Sequence, residues 1–266
     1  TSMGPAVAVG QPASFSGASS ELRGLVVGDG DDAPMPRTPW GHPDLQGLWN
    51  NSTTTPLERM TAEEQARGQH AQRAVSEATG GTGAGWLELG GGLDRASLII
   101  DPPNGRLPEV TEAGQARAAA NRGSFSSELP ASYTDLSNSD RCLMGFNAGP
   151  PITSGGYNQN MQIFQTSDTV ALLTEMVHTV RVIPLDGRSH LGTGVSQWSG
   201  DSRGHWEGDT LVVESTNFAQ KRNWRGSTNG MTLVERFRRV DDTTLEYEYT
   251  VTDPETWTAP WTVNLP

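Results

Sequence analysis

From Met161 onward the sequence is a succession of short runs rich in β-branched and aromatic residues, each closed by a polar turn signal. The runs are MQIFQT, TVALLTEMVHTVRVIPL, TLVVESTNF, MTLVERFRRV, TLEYEYTV and WTAPWTVNL, and the breaks include SD, DGR, EGD and DD. Such runs bounded by turn residues read as strands. No segment of helical length and period lies between them, so consecutive strands must be joined as hairpins and pair antiparallel. A meander of this kind predicts a mainly β fold, a calycin-like barrel or a strongly curved sheet that removes its own edges.

The first part of the chain has a different texture. Residues 1–36 are small, polar and rich in Gly, Asp and Pro, and read as a flexible or draped arm. Residues 37–160 form an irregular lead-in packing on the barrel, with Trp40, Leu45, Leu48 and Trp49 as expected anchors. Thr61 with Glu64 makes a capping box, predicting a helix to about Glu77, and Thr111 caps a second short helix over EAGQARAAANR. The glycine-rich stretch 78–92 contains no complete phosphate-binding pattern and reads as a loop. The β unit itself spans 161–266.

Composition narrows the function classes. A formal charge of −12 repels phosphate backbones, so nucleic acid is not an expected partner. No apolar run is long enough for a bilayer-spanning helix. The single cysteine, Cys142, excludes an internal disulfide framework. The sequence leaves the cofactor unknown; the histidines at 42, 70, 178, 190 and 205 lack ligand-like spacing, so no metal site is expected from them, and a cation held by loop carboxylates stays open.

Side chains alternate across a strand, so apolar neighbours indicate which polar residues point inward. Read as one strand, residues 170–182 carry His178 on a face with Val170, Leu172 and Met176, while Arg181 occupies the opposite face, which is also apolar. Glu235 shares a face with Leu233 and Phe237, and Tyr247 one with Leu245, Tyr249 and Val251. In TLVVESTNF either Val212 and Glu214, or Leu211, Val213 and Asn217, look inward. The expected interior therefore holds His178, Glu235, Tyr247 and one of Glu214 or Asn217. That set is either acid/base equipment in a partly dry cavity or a polar network that only specifies the fold.

Residues 200–204, Gly-Asp-Ser-Arg-Gly, fit the G-x-S-x-G pattern of a hydrolase nucleophile. That elbow requires a helix straight after the serine, and here a turn signal and a strand follow, so Ser202 reads as a turn residue. Asp201 and Arg203 read either as a salt-bridged loop or as a charged rim at the barrel mouth, beside Trp206. The tryptophans of the β-rich half, Trp198, Trp206, Trp224, Trp257 and Trp261, read as packing, with some free to stack on a ligand at a cavity mouth.

Seven blocks, TPWGHPDLQGLW, RCLMGFNAGPP, YNQNMQIFQT, EMVHTVRVIPLDGR, QWSGDSRGHWEGDTLVVESTNF, LVERFRRVDDTTLEYEYTV and DPETWTAPWTVNLP, resemble in order those of an uncharacterised family of exported bacterial proteins. The resemblance runs from about residue 37 onward and implies a secreted or periplasmic bacterial protein, without an activity or catalytic residues to transfer. Members of that family continue past the last block into a Cys-His-Glu-Gly-Asn run. If the chain is a shortened or processed form of such a protein, the resemblance implies a disulfide partner for Cys142, and a His/Glu pair, in the segment after Pro266.

Two functions follow as expectations. One is binding, and acid/base transformation, of a small polar or aromatic molecule or a glycan in the barrel, with His178, Glu235, Tyr247 and Glu214 as reacting groups and Asn217, Asp201, Arg203, Trp206 and Arg181 as binding groups. The other is an envelope or matrix assembly protein that self-associates through its N-terminal arm.

Overall fold

Buried and exposed side chains alternate through the C-terminal half, and the alternation sorts the strands into two layers. The computed structural model describes residues 35–67, 90–120, 131–145, 147–222 and 224–266. Their strands are β1 (Gly47–Asn50), β2 (Ile99–Asp101), β3 (Asn160–Gln165), β4 (Thr169–Thr174), β5 (Val180–Pro184), β6 (Asp201–Glu207), β7 (Thr210–Thr216), β8 (Thr232–Arg239), β9 (Leu245–Thr252) and β10 (Trp261–Leu265). They form a four-stranded antiparallel sheet, β1-β3-β4-β5, and a six-stranded one, β2-β10-β9-β8-β7-β6. The protein is mainly β, and among the described residues the ladders make two sheets without closing into a barrel.

The lead-in is woven into these sheets. Trp49 of β1 pairs with Met161 of β3, and Ile99 of β2 with Val263 of β10. Both helix starts form as their caps require. Thr61 N–H donates to Glu64 at 2.7 Å while Glu64 N–H donates to Thr61 Oγ1 at 3.2 Å, opening helix α1 (62–67). Gly114 N–H donates to Thr111 Oγ1 at 3.0 Å, capping α2 (Glu112–Ala120). Of the expected anchors, Leu45 is buried and Trp49 packs against the core, whereas Trp40 and Leu48 are exposed. Residues 1–34, the glycine-rich stretch up to residue 89 and positions 68–77, over which the sequence predicts that the first helix continues, lie outside the described residues.

Three sequence expectations change. Residues 169–185 are not one strand: a 3₁₀ turn at Met176–His178 splits them into the β4–β5 hairpin, with Val177 at φ 63° and His178 at φ 54°. Two successive residues in the left-handed region reverse the chain and change which parity faces inward. His178 is therefore exposed at the turn, and Arg181, on β5, is buried. Ser202 is not a turn residue but lies buried in β6, its hydroxyl 2.7 Å from that of Ser215.

The core lies between the layers, with Val170, Leu172 and Ile183 from one sheet and Leu211, Val213, Leu233, Phe237 and Val251 from the other. Trp261 stacks on Trp224 with ring centroids 5.9 Å apart and meets Trp257 edge-on at 5.5 Å, so these tryptophans are packing. One ion pair bridges the sheets through this core. Arg181 Nη1 and Nη2 donate to the two oxygens of Glu235 at 2.5 and 3.0 Å, and Tyr247 donates its hydroxyl hydrogen to Glu235 at 2.7 Å. Ile152 N–H donates in turn to the Tyr247 oxygen at 3.0 Å. Burial, then the Glu235 charge, pushes the Tyr247 hydroxyl well above its usual pKa, so it stays a donor.

A second buried guanidinium, Arg222, lies under the Phe218 ring at 4.8 Å, and burial lowers its pKa to about 9 against the opposing pull of Glu235. Its Nη2 donates to the Pro150 carbonyl, while Nε and Nη1 have no hydrogen-bond partner among the described residues, so that bond, the aromatic face and the Glu235 charge carry its compensation.

Removing one partner of a buried pair strands the other charge. Glu235→Gln is expected to cost about 3–5 kcal/mol, and Tyr247→Phe about 1–3 kcal/mol, read from urea midpoints. The double variant Arg181→Met/Glu235→Leu is expected to lose much less than the sum of the single changes.

Candidate functional site

The hairpin β6–β7 sets Arg203 opposite Glu214 and Asp201 opposite Thr216. Asp201, Arg203 and Glu214 fall on the outer face of the six-stranded sheet, away from Ser202 and Ser215. The hairpin turn is the EGD signal read in the sequence, with Gly208 at φ 60°. Gly200 sets up the entry to β6. Its φ is 72°, and a Cβ there would sit 2.7 Å from the Phe218 ring and 2.8 Å from the Thr216 carbonyl, so only glycine fits.

The connection from β5 to β6 folds back over this face and delivers His190. Its Nδ1 lies 3.1 Å from Asp201 Oδ2 and its Nε2 lies 3.1 Å from Glu214 Oε1. Asp201 also accepts from Leu191 N–H at 2.8 Å and from Arg203 Nη1 at 2.7 Å. Arg203 Nε donates to the Ser189 carbonyl at 3.1 Å, and Asn217 Nδ2 donates to the Leu191 carbonyl at 2.8 Å. The loop bearing His190 is thus tied from both flanks. Asn217 holds φ 53°, a conformation asparagine tolerates better than most residues.

Exposure grades across the group: the Asp201 side chain is 5% exposed, His190 25% and Glu214 51%. Burial by itself raises the Asp201 carboxyl, but the bonds from Leu191, His190 and Arg203 outweigh it and hold the group below its ordinary 3.8. Ionised Asp201 accepts from Nδ1–H and so selects one tautomer, leaving Nε2 for exchange. The contact between Nε2 and Glu214 is then a hydrogen bond only when one proton is shared between them. An oriented imidazole sharing a proton with a half-exposed carboxylate is general acid/base equipment. The two carboxylates lie against opposite ring nitrogens rather than around one point, and among the described residues no group of three or more metal-ligating side chains is placed to hold an ion.

The geometry gathers four of the sequence-derived site residues, Asp201, Arg203, Glu214 and Asn217, around a histidine that was not among them. His190 sits in DGRSHLGTG, where strand alternation gives no face and sequence spacing no partner. The other candidates stand elsewhere. Glu235, Tyr247 and Arg181 satisfy one another in the core, so no solvent-facing carboxylate exists there. Glu235 has no exposed surface, and the polar-network alternative fits those three. His178 is on the β4–β5 turn, and Trp206 turns inward with its ring 5.1 Å from that of His42. Glu214, expected inward in one of two registers, faces out, because Leu211, Val213 and Ser215 take the core positions. Ser202, facing the core, does not reach His190, so no Ser-His nucleophile forms.

Compared with protein-family models, with curated proteins and with solved structures, the chain matches none.

Asp201 has a depressed pKa in the folded state, so its contribution to stability is fully present above its unfolded value and is lost as pH falls through the folded one. Asp201→Asn is expected to unfold at lower urea than wild type near neutral pH, with the gap closing below about pH 4. A gap that stays constant down to pH 3 (an order-of-magnitude bound from the ordinary carboxylate range) would contradict this origin.

Proposed function

We propose that this protein is an exported bacterial protein that binds a small polar or aromatic molecule or a glycan and transforms it by acid/base chemistry. His190 is the proton carrier, Asp201 its orienting carboxylate and Glu214 the partner that shares and releases the proton, with Arg203 and Asn217 holding the loop. The single observation carrying this reading is the imidazole held between a buried and a half-exposed carboxylate, 3.1 Å from each. Fixed geometry of this kind keeps the nitrogen aimed while Glu214 is free to swing aside for a substrate. The exported, bacterial part of the reading rests on the sequence blocks from residue 37 onward. A calycin-like relationship belongs to the same proposal: β5 and β6 are in contact along one seam, as adjacent strands of an opened barrel would be.

A second reading, assembly with other copies, is favoured by a different observation. The outer face of the four-stranded sheet is rich in exposed apolar side chains, with the polar Gln162 among them. Leu48, Phe164, Val180 and Val182 are 69%, 47%, 57% and 59% exposed, and Ala171 lies between Phe164 and Val182 in the ladder. Exposed apolar surface of this kind commonly marks an interface. Monodisperse monomer in light scattering would remove that reading.

The deciding experiment is a thermal-shift screen against phenolics, soluble glycans and small polar metabolites. A ligand bound only by the folded state raises Tm by mass action. The acid/base reading expects one class to raise Tm in wild type and to be transformed on incubation. His190→Ala is expected to lose turnover by at least about a hundredfold while unfolding near the wild-type temperature. Turnover preserved in His190→Ala would end the reading.

A further inference from the structure

Away from the His190 loop, the molecule holds a cavity lined by polar and apolar side chains. It encloses about 300 Å³ between the 53–57 segment, residues 153–155, β9 and β10. Leu57 and Leu98 give it an apolar wall, and Thr54, Thr153, Tyr249 and Arg225 bring polar groups to it. Polar and apolar groups share the lining, which suits a small molecule that carries both, and the volume is at the small end of the range for such sites.

Two of the polar groups stand out. Tyr249 is 1% exposed, yet its hydroxyl has no hydrogen-bond partner among the described residues, and the rest of the ring is fixed by Tyr247 at 5.6 Å and Trp261 at 6.0 Å. The hydroxyl lies at the wall of the cavity, where it is placed to donate to a bound acceptor. Burial raises the pKa of this hydroxyl, against the opposing effect of Arg225, so it enters any contact as a donor.

Arg225 is the other. It is an exposed residue whose guanidinium carbon lies 5.7 Å from the Trp224 ring, and among the described residues no carboxylate pairs with it. Its backbone holds φ 53°, ψ 30°, a conformation that costs a non-glycine residue energy and persists only where the surroundings impose it. The surroundings here are specific. Gly226 follows at φ 85°, where a Cβ would come within 2.5 Å of the Gly114 carbonyl of α2. The Gly226 carbonyl accepts from Arg117 Nε at 2.8 Å and from Thr256 Oγ1 at 3.1 Å. Trp224, on the other side, is clamped on Trp261. The fold therefore fixes the Arg225 backbone beside a cavity whose lining also includes Tyr249.

We propose that this cavity binds a small organic monocarboxylate, its carboxylate taken by Arg225 and the Tyr249 hydroxyl and its apolar body seated on Leu57 and Leu98. Guanidinium and phenol are both donors, so an anionic acceptor suits them and a cation does not. The proposal is independent of the His190 site.

The test is isothermal calorimetry on the full chain with benzoate, benzamide and inorganic phosphate as probes. Benzoate is expected to bind saturably, and benzamide, lacking the charge, and phosphate, lacking the apolar body, at least about tenfold more weakly, a difference of about 1.4 kcal/mol. Arg225→Gln is expected to weaken benzoate by about tenfold or more, and Tyr249→Phe, which keeps the ring packing, by about threefold to tenfold. His190→Ala is expected to leave benzoate binding unchanged, which separates this site from the acid/base site. No saturable benzoate binding, equal binding of benzoate and phosphate, or undiminished affinity in Arg225→Gln would each overturn the proposal.

Discussion

The contact between Arg181 and Glu235 ties the two sheets of this protein to one another. A guanidinium from one sheet and a carboxylate from the other can share the dry interior only while both hydrogen bonds of the fork hold, because either charge alone would be strongly penalised there. Tyr247 adds a third bond, and through its oxygen the pair reaches the Ile152 backbone. The relative placement of β5, β8 and β9 is thus specified by directional chemistry, where apolar packing by itself would tolerate sliding. Hydrophobic burial supplies the bulk of the driving force, and this cluster selects one arrangement from those that burial permits.

With Arg181, Glu235 and Tyr247 committed to one another, the acid/base groups are left to the surface, and the two outer faces differ sharply. On the six-stranded sheet, Glu207 pairs with Arg236 and Arg238 with Glu246 in a ladder of exposed ions that continues the polarity of the Asp201, Arg203 and Glu214 corner. Ion pairs of that exposure add little stability. They keep the face wet and charged around the His190 loop. The outer face of the four-stranded sheet carries leucine, valine and phenylalanine instead, so the molecule has one side suited to polar solutes and one to apolar contact.

Much of this was legible in the sequence, for reasons that are local. Strand alternation put Glu235 and Tyr247 on the core face, and the capping pairs Thr61/Glu64 and Thr111/Gly114 depend only on residues three apart. Antiparallel pairing followed from the absence of helix-length connections. What could not be read depends on contacts distant in the chain or on backbone dihedrals. The apolar run 169–185 looks continuous because the residues at its reversal, Met176 and Val177, are as apolar as those in the strands. That reversal moved His178 out and Arg181 in. His190 escaped notice because a loop histidine acquires meaning only once β6 and β7 put two carboxylates beside it. The cavity at Tyr249 is assembled from segments as far apart as Thr54 and Arg225, which no spacing rule connects.

The weaving of the lead-in into both sheets carries a kinetic consequence. Gly47 of β1 meets Ile163 of β3, and Ile99 of β2 meets Val263 of β10, so each sheet needs a pairing that closes a very long loop. The C-terminal hairpins β6–β7 and β8–β9 can zip from their own turns with little entropy to overcome, whereas the outermost ladders wait on a search over much of the chain. Assembly should therefore proceed from the middle of the six-stranded sheet outward, with β1 and β2 docking late. Until they dock, the flank of β10 opposite β9 and the flank of β3 opposite β4 present unpaired backbone. That interval is when the chain is most exposed to pairing with a neighbour.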